Sequence, residues 1–425
     1  MSPVPRFHRQ TIHTPASVRA GGWPDWSGQP EVFKYYPADF PRLSLAAVPD
    51  VRLLLFRCAG LTARRVYGDT VYFLRANPSA GALYPCELYV QARGVAGLAD
   101  GIYHYEPRGE RLCLLHEPES ATDGLESCCE DDRRVEGLVL LVSAIYYRSS
   151  WKYRDRALRY CLLDSGHLLG GVEAAAICGQ EDHEIFCRID RQRLAAGFGF
   201  GGREQAMAMV VLGRRGSERV TSLAMRLPFV SGTGTFVANR FIEGALEEIG
   251  RPEHCRPAAG GAGYPFSAGI LADAIARRRS IRAFAGVPLL RREFDAVLDT
   301  ATMAVSMDCD EPVRILAVVN RVEGMEPGVY AGRRCLAAGD FSDMARYLCL
   351  EQDLGGDSGA TLFLTGAAHN YLPLLLKAGL MGQRIYLTAT GLGFGCSGIG
   401  AFYDQEAAAF LDTDDMILYA LAVGR

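Results

Sequence analysis

Four short strings in this 425-residue chain combine residue types that could bind a ligand or move a proton. The first is Pro78-Ser79-Ala80-Gly81, reached through the apolar run 71–74 and followed by the strand-like 87–90. A strand entering a small glycine-containing turn bares backbone N–H groups and lets a flat ligand lie against the main chain. Ser79 adds a hydroxyl donor, although the same string also reads as an ordinary turn. The second is Arg278-Arg279-Ser280-Ile281-Arg282, whose cations suit an anion such as phosphate, or else form a solvated basic face. The third, GLGFGCSGIGAF at 391–402, allows close backbone approach to a ring system. The fourth is Trp151-Lys152-Tyr153. Lys152 is three residues from Asp155, which predicts a helix-surface ion pair. A lysine of depressed pKa, or a tyrosine beside a cation, could instead take up a proton. His167, on an apolar helix, reads as a satisfied core histidine. Trp151, Phe402 and Tyr403 either pack or shape a pocket.

Residues 1–42, rich in Pro, Gly and Trp and without helical period, predict an irregular arm (N-terminal, MSPVPRFHRQ onward). The pattern then predicts a helix at 51–59, strands at 87–91, 101–105 and 139–142, and one long helix over 146–176. A short helix within 184–200 and a strand at 207–213 complete a first half, 43–249. Residues 250–268, dense in Gly and Pro, predict a linker. The second half, 269–425, carries helices at 270–282, 292–301 and 379–390. Its strands are expected at 313–320, 360–365 and 417–423, with the 391–402 string as a glycine turn.

Hydrophobic residues at 49 % and charged residues at 22 % describe a globular chain with a substantial core. A net charge of −4 gives no argument for nucleic acid or an anionic membrane as partner. No apolar run has the length of a membrane span, and the N-terminus shows no signal core. The thirteen cysteines are scattered without a C-x-x-C. That speaks against metal and against a disulfide framework, and predicts reduced, mostly buried thiols in a cytoplasmic protein.

The halves follow one order: helix, strand, a G-(I/V)-Y turn (Gly101-Ile102-Tyr103 and Gly328-Val329-Tyr330), strand, long helix, last strand. This is an internal duplication with a period of about 230 residues. The chemistry-bearing strings are not duplicated. Where P-S-A-G should recur, the second half reads TATMAVSMDCDEPVRI. Where R-R-S-I-R should recur, the first half reads PRLSLAAVPDVR.

The string RANPSAGALYPCELYV (75–90) resembles the flavin-facing segment of SagB-type dehydrogenases, a branch of the FMN-dependent nitroreductase superfamily. R-R-S-I-R-A-F through Phe284 resembles the phosphate-grasping opening of nitroreductase domains. The strings at 379–402 and the arm WPDWSGQPEVFKYY are similar to tandem SagB-like proteins. The resemblance spans nearly the whole chain, most strongly 71–105, 146–176 and 379–404.

It implies an α+β, nitroreductase-like fold in two fused copies, an intrachain pseudo-dimer with FMN between them. The implied FMN contacts are Arg75, Pro78, Ser79, Ala80, Gly81 and Leu83 from one half. The other half would supply Arg278, Arg279, Ser280, Arg282, Gln383, Gly395, Cys396, Ser397 and Gly398. Because each half retains only part of the set, one composite site per chain is expected. Relatives continue past the last strand with an arginine-bearing segment, and Arg425 is the candidate substitute. The resemblance also implies Lys152 and Tyr153 as acid–base pair, oxidation of a thiazoline or oxazoline ring in a peptide, and a peptide cyclase as partner. A monomeric pseudo-dimer or a further homo-oligomer is compatible with it. A general NAD(P)H-dependent nitro or quinone reductase, and a flavin-free peptide-binding scaffold, are the alternatives.

Overall fold

A computed structural model describes residues 5–425 except 21, 23, 69 and 368, so part of the expected arm (1–4, 21 and 23) lies outside the described residues. The structure is built around two long helices, Ala157–Gly179 and Tyr371–Gly391, buried along almost their whole length. Both are apolar on every side because each is covered on every side. They cross where Gly166 meets Gly379. A Cβ on Gly166 would stand 2.1 Å from the Leu376 carbonyl oxygen, and one on Gly379 2.2 Å from that of Leu163. Only two glycines permit backbones this close.

Each helix backs a sheet of antiparallel neighbours. The first sheet runs, edge to edge, Arg42–Ser44, Arg111–His116, Gly101–Glu106, Cys86–Arg93, Arg133–Ala144, Gln205–Arg219 and His183–Phe186. The second runs Arg334–Ala338, Gly328–Ala331, Arg314–Val319, Ala360–Gly366, Met416–Gly424 and Gly395–Ile399. Apart from the short first strand, both follow the chain order third, second, first, fourth, sixth, fifth. The central strands Cys86–Arg93 and Ala360–Gly366 are buried at every position; the second is near-continuously apolar, whereas the first alternates and buries its polar Glu87, Gln91 and Arg93 by pairing them with Arg148 and Glu126.

The halves exchange segments. Residues 306–308 extend the edge of the first sheet: Ile185 N–H donates to Ser306 O (2.9 Å) and Asp308 N–H to Ile185 O (3.0 Å). In return the arm reaches the second half. Phe7 packs on Tyr371, and His13 N–H donates to Asp404 (2.8 Å). Asp404 also binds Arg156 (2.9 Å) and Arg159 (2.6 Å) of the first half.

Five expectations need correction. The helix over 146–176 is two helices, Tyr147–Tyr153 and Ala157–Gly179, because Arg154 takes φ +51. The kink also removes the expected ion pair: Asp155 accepts from Asn239 Nδ2 instead. The string at 391–402 is not a glycine turn, since 395–399 pair in register with Met416–Gly424. Cys255 and Cys309 are joined in a disulfide, so the thiols are not all reduced. A scattered spacing could not reveal that pair, because 54 residues separate its members. Finally, the stretch Tyr147–Gly179, kink included, is by length and composition apolar enough to cross a membrane, but 89 % of its most apolar window is buried in the protein.

Candidate active site

A cavity of about 300 Å³ opens on the seam between the halves. Its walls come from the 78–81 turn, the end of the Tyr147–Tyr153 helix, Ala157–Gly179, the extended segment at 280–282 and the edge strand Gly395–Ile399. Of the residues expected to contact a cofactor or substrate, it gathers Pro78, Ser79, Ala80, Gly81, Lys152, Tyr153, Ser280, Arg282 and Gly398.

The turn is held from below. Ser79 O–H donates to Asp164 Oδ2 (2.5 Å), Ala80 N–H donates to Oδ1 (3.2 Å), and Tyr84 N–H donates to Ser79 Oγ (2.8 Å). Burial pushes the Asp164 carboxyl up to about 7 against the pull of these hydrogen bonds. Above the turn lies Tyr153. Gly81 has φ +64, and a Cβ there would meet the Tyr153 hydroxyl at 2.7 Å. Tyr153 stacks obliquely on Tyr160 at 4.4 Å, and burial raises its phenol well above the usual range.

Lys152 lies over the rings of Trp26 (5.1 Å) and Tyr153 (5.2 Å). Partial burial, then the neighbouring Arg282, lowers its pKa from the ordinary 10.5. Neither cation has a hydrogen bond or ion pair among the described residues. Only three of the chain's 45 basic residues are lysines, and the other two, Lys34 and Lys377, are tied to Glu204 and Asp310. In an arginine-rich chain, a lysine at the cavity is the cation that can lose its proton.

On the far wall, Tyr386 Oη shares a hydrogen bond with Ser280 Oγ (2.9 Å) and accepts from Gly398 N–H (2.6 Å). Extended backbone places 280 and 282 on the cavity side and 279 on the other. Arg279 accordingly binds the Thr62 carbonyl (2.8 Å) on the hairpin Leu61–Arg75 and does not line the cavity. Arg278 lies beneath it, donating to the carbonyls of Ala76 (2.8 Å) and Arg75 (3.0 Å). Arg75 stands behind the turn, donating to Val32 O (2.7 Å). Leu83, Gln383, Gly395, Cys396 and Ser397 do not line the cavity either. Cys396 forms a parallel bridge with Ser280, and Gln383 Oε1 contacts His167 Nδ1 (3.3 Å). Arg425 pairs with Glu293, away from the cavity.

Sequence reasoning missed Asp164, Tyr160, Tyr386 and Tyr419 as wall residues, and read His167 only as core. His167 does line the cavity. It is also satisfied, between Gln383 and Tyr419 (3.0 Å), and burial holds it at about 3, so it is neutral. The signal for Asp164 was its place: a carboxyl in a largely apolar helix must find a partner.

Comparison with known proteins shows the fold to be nitroreductase-like. The Nitroreductase family model matches residues 275–425. A Methanocaldococcus jannaschii protein described as a nitroreductase is 31 % identical over 145 residues, 31 % of this chain and 70 % of that one. The trifolitoxin-processing protein TfxB of Rhizobium leguminosarum bv. trifolii is 29 % identical over 141 residues, 32 % of this chain and 38 % of TfxB. A crystal structure described as a nitroreductase from Anabaena variabilis covers 99 % of this chain and 98 % of its own, with TM-score 0.81 and 27 % identity. The chain belongs to the nitroreductase family of oxidoreductases.

Proposed function

We propose that the chain is an FMN-dependent dehydrogenase of SagB type, made of two fused nitroreductase-like copies that share one FMN site. The carrying observation is the single cavity where the 78–81 turn and Lys152-Tyr153 of the first half face Ser280, Arg282 and Gly398 of the second. The residues suit a flavin nucleotide. The turn and the glycine strand offer bare backbone to a flat ring, and the space at Gly81 is one a Cβ would fill. Arg282 has no partner among the described residues, and Ser280 stands beside it, so these two would take the phosphate. Arg278 and Arg279, engaged with backbone carbonyls, would act by holding the turn and the hairpin.

FMN supplies a two-electron acceptor when bound. The chain supplies proton handling. Lys152 Nζ, with its lowered pKa, would accept the proton as a substrate C–H bond is oxidised, and the adjacent Tyr153 hydroxyl would orient the reacting group over Gly81. The TfxB likeness favours a peptide substrate, with an azoline ring as the oxidised group and a peptide cyclase as partner.

The test is to release and count the bound ligand, then add an azoline peptide without NAD(P)H. One FMN per chain, reduced by the peptide alone, supports the reading. Two FMN per chain would remove the shared-site idea. Reduction only by NAD(P)H would point to a general reductase, and a colourless protein that FMN cannot reconstitute would point to a scaffold.

A further inference from the structure

Asp164 is the one carboxylate among the cavity's wall residues, and it comes from the centre of the buried helix Ala157–Gly179, 4 % exposed. A buried carboxylate persists only where donors replace its water. Here both donors belong to the 78–81 turn, one to each oxygen: Ser79 O–H at 2.5 Å and Ala80 N–H at 3.2 Å. Ser79 Oγ in turn accepts from Tyr84 N–H while its own proton goes to the ionised Asp164. Both ends of the turn, 79–80 and 84, therefore depend on one acceptor pair. An ionised carboxylate accepts both bonds with its charge behind them, whereas a protonated one keeps only a neutral bond from Ala80 N–H and must reverse the bond with Ser79, which weakens both.

The groups that face Asp164 do not replace these donors. Tyr153 comes from the Tyr147–Tyr153 helix, Tyr419 from the closing strand, Cys86 from the first sheet and Cys161 from its own helix. Burial keeps all four protonated. Lys152, Arg282 and the neutral His167 stand on the same cavity wall, and Arg75 lies behind the turn.

We propose that Asp164 is a positioning residue: as a carboxylate it clamps the 78–81 turn in its ligand-binding shape, and on taking up a proton it releases that turn and lowers flavin affinity. The flavin part rests on the function proposed above; the clamp itself does not. Its burial, which brings the carboxyl to about 7, places the release near neutral pH.

The experiment measures FMN affinity of the full chain by quenching of flavin fluorescence between pH 5.5 and 8.5, for wild type, Asp164→Asn and Ser79→Ala. At pH 8 both variants should bind about tenfold to hundredfold more weakly, the weight of a hydrogen bond to a charged group. Below neutrality the wild type should fall toward Asp164→Asn, whose own curve keeps only the slope of the FMN phosphate. Parallel curves for wild type and Asp164→Asn would overturn the proposal. Backbone hydrogen exchange over 76–85, without FMN at pH 8, gives an independent reading. Exchange about tenfold faster in both variants supports the clamp, and unchanged exchange refutes it. If no form binds FMN, the flavin reading fails and exchange alone decides the role of Asp164. Should Asp164→Asn not fold, Ser79→Ala carries both measurements.

Discussion

Gly166 and Gly379 meet where the two long helices cross, each Cα within 3 Å of the Cβ the other would carry (2.8 and 2.9 Å). The obstacles are the backbone carbonyls of Leu376 and Leu163, which cannot rotate away as a side chain can. Gly166→Ala or Gly379→Ala should therefore push the halves apart and destabilise the protein by about 1–3 kcal/mol or more. Urea unfolding of each variant checks this; a midpoint within error of wild type would mean the crossing is not as tight as the geometry states.

Gly81 lies against the Tyr153 hydroxyl with φ +64. Alanine there carries a left-handed backbone cost of about 1 kcal/mol and displaces the phenol. Gly81→Ala should lower turnover far more than stability, because the nearest obstacle is the mobile end of a side chain. A fall in melting temperature with unchanged turnover would contradict this.

Lys152 titrates below the ordinary 10.5 because it is partly buried and, secondarily, because Arg282 is near. Lowering the pKa widens the pH range in which the neutral amine can accept a proton, so turnover should rise with pH through that lowered value. With three lysines in the chain, reductive ¹³C-methylation followed by NMR titration can assign it. Arg282→Ala should move the titration up, and Lys152→Ala should cost about 10²–10⁴-fold in turnover and abolish the rise of turnover with pH. A titration at the ordinary lysine value, unmoved by Arg282→Ala, would refute the account.

Asp404 ties the arm, the Ala157–Gly179 helix and the second half together. Burial alone would raise its pKa, but Arg159, Arg156 and the His13 N–H outweigh it and hold the carboxyl at about 2. A depressed folded pKa contributes stability that is present above the unfolded value, near 3.8, and is lost as pH falls toward 2. Asp404→Asn leaves two buried guanidiniums uncompensated and should cost about 3–5 kcal/mol at pH 7. The gap between variant and wild type should shrink as pH falls below 4. His13, held at about 4 chiefly by burial, loses its contribution in a higher window, from 6.5 downward. A gap constant down to pH 2.5 would show that Asp404 is not the acid-sensitive tie.

Much of the lining of the cavity was legible in the chain. Pro78 to Gly81, Lys152-Tyr153, Ser280, Arg282 and Gly398 stand out by type and local spacing, and each does reach the cavity. Arg278 and Arg279 show where that reading stops. Sequence puts three arginines in one cluster; extended backbone sends alternate side chains to opposite sides, and burial beneath the turn commits Arg278 to carbonyls. The kink at Arg154 and the Cys255–Cys309 link were hidden because both depend on contacts distant in sequence.

The sequence by itself determined the repeated order of helices and strands, the apolar core helices and the unequal division of the Ser-, Gly-, Lys- and Arg-bearing strings between halves, because these are local properties of residue type and period. Only the tertiary structure decided which members of the two unequal sets face one cavity, that Asp164 braces the turn from below and that Lys152 has no ion pair among the described residues. Those depend on a helix crossing that two glycines make close enough, and proximity across a seam has no signature in linear spacing.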